Sequence, residues 1–290
     1  MATGLVLEGG GMRGLFTAGV IDVMMESGIV YDGIIGVSAG ACFGCNYKSH
    51  QPGRVLRYNM RFCKDSRYMG WRTLLRTGDL VGAEFAYHEL PLTLDVFDIE
   101  RYENDPTEFY IVTTDVHTGE PVYYNFNKVN YESLEWLRAS ASMPLVSRPV
   151  RVDDGRLMLD GGISDSIPLK RFVEMGYKRN VVILTQPRNF FKKPTLMWPF
   201  RLFMRRYPKI IAAMARRHQM YNEQLRYVAS EVEAGNAFVI CPQEALPVGR
   251  VNSDREKMQR VYGMGREACI AALPLLREFL AKKRCCKTYF

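Results

Sequence analysis

Histidine is scarce in this chain, with four among 290 residues, at positions 50, 88, 117 and 218. Chemistry that needs a histidine base therefore has few places to go. No run of 18 uninterrupted apolar residues occurs, so no transmembrane helix is expected. The opening stretch to Glu8 has no basic segment ahead of its short apolar run, which argues against a secretory signal. Ala2 rules out a myristoylation signal, and Lys287 stands where a prenylated cysteine would have to be. The cysteines number seven, an odd count, and the reading adopted is reduced thiols in a cytoplasmic protein, at most peripheral to the inner face of the membrane. Cys42 and Cys45 have redox-pair spacing, but they follow a tight turn on an expected helix, where small core residues are the preferred reading. Cys285 and Cys286 lie beside basic residues and could carry lipid; a frayed tail is the plainer expectation.

What is present describes an ordinary globular protein, 47% hydrophobic and 24% charged, long enough to bury a large core. Net charge is 39 − 31 = +8, which alone does not choose between nucleic acid, anionic lipid and solubility. The chain opens as strand, glycine loop and helix: Leu5 to Leu7, then Gly9 to Gly14, then Leu15 to Ser27 with Phe16, Val20, Val23 and Met24 on one face. A second strand, Ile34 to Val37, runs into Ser38 and a helix over 39–47, so a right-handed βαβ unit with parallel pairing is expected. Residues 50–106 resolve only into scattered turns and helices. Phe109 to Thr114 reads as a strand, Pro121 to Phe126 as its partner, Tyr131 to Ser140 as a helix, and Arg156 to Leu159 as a strand entering Asp160. A helix runs from Pro168 to Met175, a buried strand follows at Val181 to Leu184, and later a strand at Ala237 to Cys241 precedes a helix from about Asp254 to Lys282.

Between Arg188 and Arg217 the charge becomes one-sided: nine basic residues with no Asp or Glu, interleaved with Phe190, Phe191, Trp198, Phe200, Phe203 and Tyr207. Such a stretch suits an anionic membrane surface, or equally a charged cover over a helical core. Nucleic acid is not expected as a partner, because no recognised binding module is present.

Gly36-Val37-Ser38-Ala39-Gly40 is a G-x-S-x-G motif between an expected strand and helix, the context of a nucleophile elbow. Chance would supply roughly 0.1 of these in a chain this long. The turn exposes the hydroxyl, and a Cβ at either glycine would clash across it. The alternative is a tight turn with an incidental serine. The serine needs a base. The order Ser38, Asp160, His218 matches an α/β-hydrolase triad, but only two strands precede Ser38, and His218 sits beside Arg216 and Arg217 on an expected helix. Asp160 could accept the proton directly; taken alone, Asp160-Gly161 reads equally as a hairpin turn. Gly9-x-Gly11-x-x-Gly14 also satisfies a dinucleotide fingerprint, with Asp32 at roughly the right separation but at the wrong end of its strand. The same loop could offer the amides of Gly10, Gly11 and Met12 as an oxyanion hole, with Arg13 adding positive charge near the oxyanion or a phosphate.

Together, Glu8 to Gly14, Gly36 to Gly40 and Asp160-Gly161-Gly162 resemble the three-block signature of patatin-like phospholipases, and Ala139 to Pro144 resembles the segment between the second and third blocks. The resemblance covers about residues 3–186, with Glu8 where many members have Asp. It implies a three-layer α/β/α sandwich with a mainly parallel sheet, hydrolysis of lipid acyl esters, and no metal or cofactor. Carried over, Ser38 is the nucleophile, Asp160 its base, and Gly10, Gly11 and Met12 the oxyanion donors, with Gly9, Arg13, Gly14, Gly36, Gly40, Gly161 and Gly162 shaping the loops. The expected division is a catalytic domain over 1–187 and a basic, mostly helical part over 188–290 packed against it. A non-catalytic lipid-binding protein and a dinucleotide-dependent oxidoreductase are the competing readings.

Overall fold

The computed structural model describes residues 2–281, so Cys285, Cys286 and the expected helix end at Lys282 lie outside the described residues. Its sheet comprises β1 (Thr3–Leu7), β2 (Gly33–Val37), β3 (Glu108–Asp115), β4 (Pro121–Asn125), β5 (Val150–Arg151), β6 (Leu157–Asp160), β7 (Arg179–Ile183) and β8 (Ala237–Ile240). The strand order is β5-β6-β3-β2-β1-β7-β8, with β4 also paired to β3. β1, β2, β3, β7 and β8 are mutually parallel, while β4, β5 and β6 run antiparallel to their partners. The helices are α1 (Gly14–Glu26), α2 (Ala39–Lys48), α3 (Arg54–Phe62), α4 (Trp71–Thr77), α5 (Ile99–Asn104), α6 (Tyr131–Ser140), α7 (Leu169–Glu174), α8 (Trp198–Phe203), α9 (Pro208–Glu233) and α10 (Arg255–Ala281).

Alternation along the strands sets the layers. Leu5, Leu7, Ile34, Ile111 and Ile183 face one core with α1, α2 and α10, whereas Val6, Ile35, Val37, Val112 and Val182 face the other with α7 and α9. Both faces of the parallel strands are thus covered, which is why they read as continuous apolar runs. Each such side chain, wholly withdrawn from water, contributes about 1.5–3 kcal/mol.

Two features depart from the pattern read in the sequence. α1 was expected to bury one face, yet every residue from Gly14 to Met24 is buried, because α10 covers its outer side. The two backbones approach closely there: a Cβ at Gly19 would lie 2.1 Å from the Tyr262 carbonyl oxygen, and one at Gly265 2.0 Å from that of Phe16. The basic part beyond residue 187 is mostly helical, and it also contributes β8 to the common sheet. Residues 50–106 hold α3, α4, α5 and a π-helical segment, Phe85–Leu94, with Pro91 inside it.

Candidate active site

Strand register brings two distant residues level. Val37 of β2 pairs with Val112 of β3, so Ser38 lies at the height of Thr113, whose antiparallel partner on the far side is Asp160. The side chains close the gap across β3, and the Ser38 hydroxyl donates to Asp160 Oδ2 at 2.7 Å. Both residues are buried.

The elbow is held in strain. Ser38 has φ 55° and ψ −125°, a conformation that costs a non-glycine residue about 1–3 kcal/mol unless its surroundings enforce it. Enforcement comes from Ser140, whose Oγ accepts the Ser38 amide at 2.8 Å and donates to the Val112 carbonyl at 2.7 Å. The flanking glycines allow the sharp turn: a Cβ at Gly36 would stand 2.6 Å from the Ala41 Cα, and one at Gly40 2.4 Å from the Leu7 carbonyl oxygen.

Asp160 is fixed on every side. Its Oδ1 accepts the Gly162 amide at 2.7 Å, its own amide donates to the Ser142 carbonyl at 2.9 Å, and the Thr114 hydroxyl donates to its carbonyl at 2.8 Å. Arg217 of α9 braces the following turn, with Nε donating to the Gly162 carbonyl and Nη2 to Ser166 Oγ at 3.4 Å. Burial raises the Asp160 pKa above the usual carboxylate value, opposed by the Ser38 hydroxyl, the Gly162 amide and the charge of Arg217.

The glycine loop leaves β1 beside Ser38 and turns at Gly11, φ 58°, into α1. β1 lies between β2 and β7, so the loop occupies the crevice where the chain's strand order reverses. Among the described residues the amides of Gly10 and Gly11 make no hydrogen bond, but the Met12 amide donates to the carbonyl of Arg250 at 3.0 Å. Glu8, beneath the loop, accepts from Tyr221 Oη at 2.6 Å and the Thr185 amide at 2.6 Å; burial raises its pKa as well.

Two cavities meet at Ser38, sharing Gly11, Leu80, Met143, Arg250 and Val251. One, of about 140 Å³, is apolar and lined by Phe43, Tyr58, Tyr68, Leu90, Phe97 and Phe126 among others. The second, of about 260 Å³, holds Asp160 with Arg13, Lys192, Arg217 and Arg250.

The other candidates lie elsewhere. His50 bonds Asp105 at 2.8 Å and His88 bonds Glu135 at 2.9 Å, and neither His117 nor His218 lines either cavity. Asp32, the acid a dinucleotide reading requires, accepts the Thr3 amide at 2.6 Å and hydroxyl at 2.8 Å, at the end of the strands away from the loop. Cys42 and Cys45 are free thiols, and burial pushes Cys45 up to about 12.

A family model described as patatin-like phospholipase matches residues 5–173, more than half of the chain. The chain belongs to the patatin-like phospholipase family. That region contains the glycine loop, Ser38 and Asp160, whereas a second model, a domain of unknown function designated DUF6363, matches residues 207–281. The patatin-like chain is 34% identical over 199 residues to the uncharacterized protein YjjU of Escherichia coli K12, covering 66% of this chain and 54% of that one. It is 33% identical over 181 residues to the lysophospholipase nte1 of Aspergillus fumigatus, covering 60% of this chain and 11% of the relative. It therefore spans about half the length of the first of these relatives and about a tenth of the second. Among solved structures, VipD from Legionella pneumophila aligns at a TM-score of 0.48 and 14% identity, over 94% of this chain and 67% of that one.

Ser140, Lys192, Arg217, Tyr221 and Arg250 were not singled out from the sequence. Only Ser140 carried a signal, through the segment Ala139 to Pro144; the other four reach the site from the patatin-like region's C-terminal neighbour, by tertiary packing alone.

Proposed function

We propose that the protein is a serine lipid acyl hydrolase that cleaves carboxylic esters of lipids or phospholipids. The observation that carries this reading is the 2.7 Å hydrogen bond from Ser38 to Asp160 at the junction of an apolar and a cationic cavity. Asp160 takes the Ser38 proton as Oγ attacks the ester carbonyl carbon, and the carbonyl oxygen becomes an oxyanion on the Gly10 and Gly11 amides, with Met12 as the third donor once its bond to Arg250 opens. Collapse of this intermediate expels the alcohol, which takes up the proton from Asp160. Water, deprotonated by Asp160, then attacks the acyl-enzyme carbonyl; the bond to Ser38 Oγ breaks, Oγ takes the proton back from Asp160, and the fatty acid is released. The acyl chain lies in the apolar cavity.

Exposed apolar side chains supply a surface for contact with a bilayer. Trp71 and Val251 line the cationic cavity and are exposed, and Phe191, Trp198 and Phe203 are exposed within the basic stretch, whose Arg201, Arg205 and Arg206 are exposed as well. Phe190 and Phe200 instead pack inward. Among the described residues no helix is long and apolar enough to cross a membrane.

The test is hydrolysis of a p-nitrophenyl acyl series by wild type, Ser38→Ala, Asp160→Asn and His218→Ala. Turnover is expected to vanish without the serine, to fall by about a hundred-fold or more without the aspartate, and to survive loss of the histidine. Folded wild type that cleaves neither these esters nor phospholipid vesicles sinks the hydrolase reading and favours a lipid-binding protein.

A further inference from the structure

The cationic cavity carries more positive charge than the dyad needs. Its charged groups are Arg13, Lys192, Arg217 and Arg250 against Glu8 and Asp160, a formal excess of 4 − 2 = +2. Both carboxylates are engaged elsewhere, Glu8 with Tyr221 and Thr185, Asp160 with Ser38 and Gly162. Among the described residues none of the four cations has a carboxylate within ion-pair distance. Arg217 spends its donors on Gly162 and Ser166. The side chains of Lys192 and Arg250 are uncommitted by hydrogen bonds among the described residues; Lys192 Nζ rests 4.0 Å from the centre of the Tyr221 ring. Arg13 Nε is buried with no partner.

Gathering unpaired cations in a half-buried cavity is unfavourable unless an anion completes it. The strain is visible in Lys192, whose pKa falls to about 7, first through burial and then through Arg217. Position says which anion. The cavity meets the apolar cavity at Ser38, and a glycerophospholipid carries its phosphate only a few bonds from the ester that would face Ser38.

We propose that Lys192 and Arg250 form a phosphate subsite, so that the ester cleaved belongs to an acyl glycerophosphate lipid with its chain in the apolar cavity and its phosphate between these two side chains. The inference rests on the acyl hydrolase reading. It gives the region beyond the catalytic family match a role, since neither residue lies within 5–173 and Arg250 lies within the domain of unknown function. Arg250 supplies a planar fork for phosphate oxygens and Lys192 a mobile point charge.

The experiment compares 1-oleoyl glycerol 3-phosphate with 1-oleoyl glycerol, which share the ester and differ only in the phosphate. Full-length wild type, Lys192→Met and Arg250→Gln are assayed alongside thermal melting. Wild type is expected to favour the phosphorylated ester in kcat/KM by about ten-fold or more, and each substitution to erase most of that preference through KM with the melting temperature kept. No preference in wild type, or an equal loss on both esters, overturns the subsite. If wild type cleaves neither ester, the p-nitrophenyl series and phospholipid vesicles decide whether the hydrolase reading stands, and the subsite is judged by calorimetry with the uncleavable 1-O-octadecyl glycerol 3-phosphate and with inorganic phosphate. Binding of the ether lipid that Lys192→Met abolishes upholds the subsite. Absence of binding overturns it, and inorganic phosphate binding as tightly as the ether lipid assigns the cations to free phosphate and overturns the lipid assignment.

Discussion

The carbonyl of Arg250 accepts a hydrogen bond from the amide of Met12 at 3.0 Å. This contact ties the segment before α10 to the turn that opens α1, and it engages one of the three amides expected to stabilise an oxyanion. A Cβ at Gly11 would stand 2.4 Å from the same carbonyl oxygen, so the two backbones are in close apposition. Phosphonylation of Ser38 with a fluorophosphonate places a tetrahedral oxyanion mimic in front of the loop. It is expected to release the Arg250 carbonyl and to speed amide hydrogen exchange over residues 247–252 relative to the unmodified protein. Exchange that does not change would leave the oxyanion on Gly10 and Gly11 alone.

The dyad should have a recognisable acid limb. A base works only when ionised, and burial raises the pKa of Asp160, so kcat/KM is expected to fall with acidification at a pH above the ordinary carboxylate value. Arg217 opposes that rise through its charge. Arg217→Gln should therefore move the limb to higher pH, and Arg217→Lys should return part of the shift. A limb that stays in place in both variants would reduce Arg217 to a brace for the Gly162 turn.

Lys192 predicts a second, opposite dependence. Its charge in the free protein is lost as pH rises through about 7. A bound phosphate stabilises the protonated form and so raises this pKa, which means affinity is highest below 7 and declines above it. The KM for a phosphorylated ester should climb from pH 6 to 8, while that for the neutral ester stays level. Glu8, Asp160, Arg13, Arg217, Tyr221 and Arg250 face the same cavity, so the slope should flatten in Lys192→Met for the assignment to hold.

Helix packing offers a test within one element. Gly263 has nothing within 4 Å of an added Cβ, whereas a Cβ at Gly265 would meet the Phe16 carbonyl oxygen at 2.0 Å. Gly263→Ala is expected to stabilise by about 0.5–1 kcal/mol through helix propensity and the unfolded chain. Gly265→Ala should destabilise by about 1–3 kcal/mol by forcing α10 off α1. Thermal melting of the two variants decides it; equal shifts would mean that the helix contact yields at no cost.

How much of this was legible in the sequence follows from the range of the interactions. The glycine loop and the elbow are local motifs fed by short apolar strands, whereas Asp160-Gly161 alone reads equally as a hairpin turn, so the sandwich fold and the Ser38–Asp160 pairing were anticipated through the resemblance of the three blocks to a family signature. β5 has two residues, too few to show a period. The segment Phe85–Leu94 is π-helical with Pro91 inside it, so neither helix nor strand periodicity describes it. Lys192 and Arg217 belong to the one-sided basic stretch, read as a membrane surface or a charged cover, while Tyr221 and Arg250 lie beyond it with no motif of their own; only tertiary packing draws these four toward Ser38 while Arg201, Arg205 and Arg206 stay outside.

The position of β1 in the middle of the sheet bears on how the chain is made. One edge of β1 pairs with β2 soon after both are synthesised, but the other must wait for β7, which ends at Ile183. At ordinary translation rates that wait is roughly 10–30 s. The outer face of α1 waits longer still, until α10 arrives. For that interval the nascent chain presents an open strand edge beside Leu5, Val6 and Leu7 and an uncovered helix, the surfaces on which aggregation begins. Yield in a cell should therefore depend on holdase chaperones that shelter the first hundred residues, more than on the stability of the finished sheet.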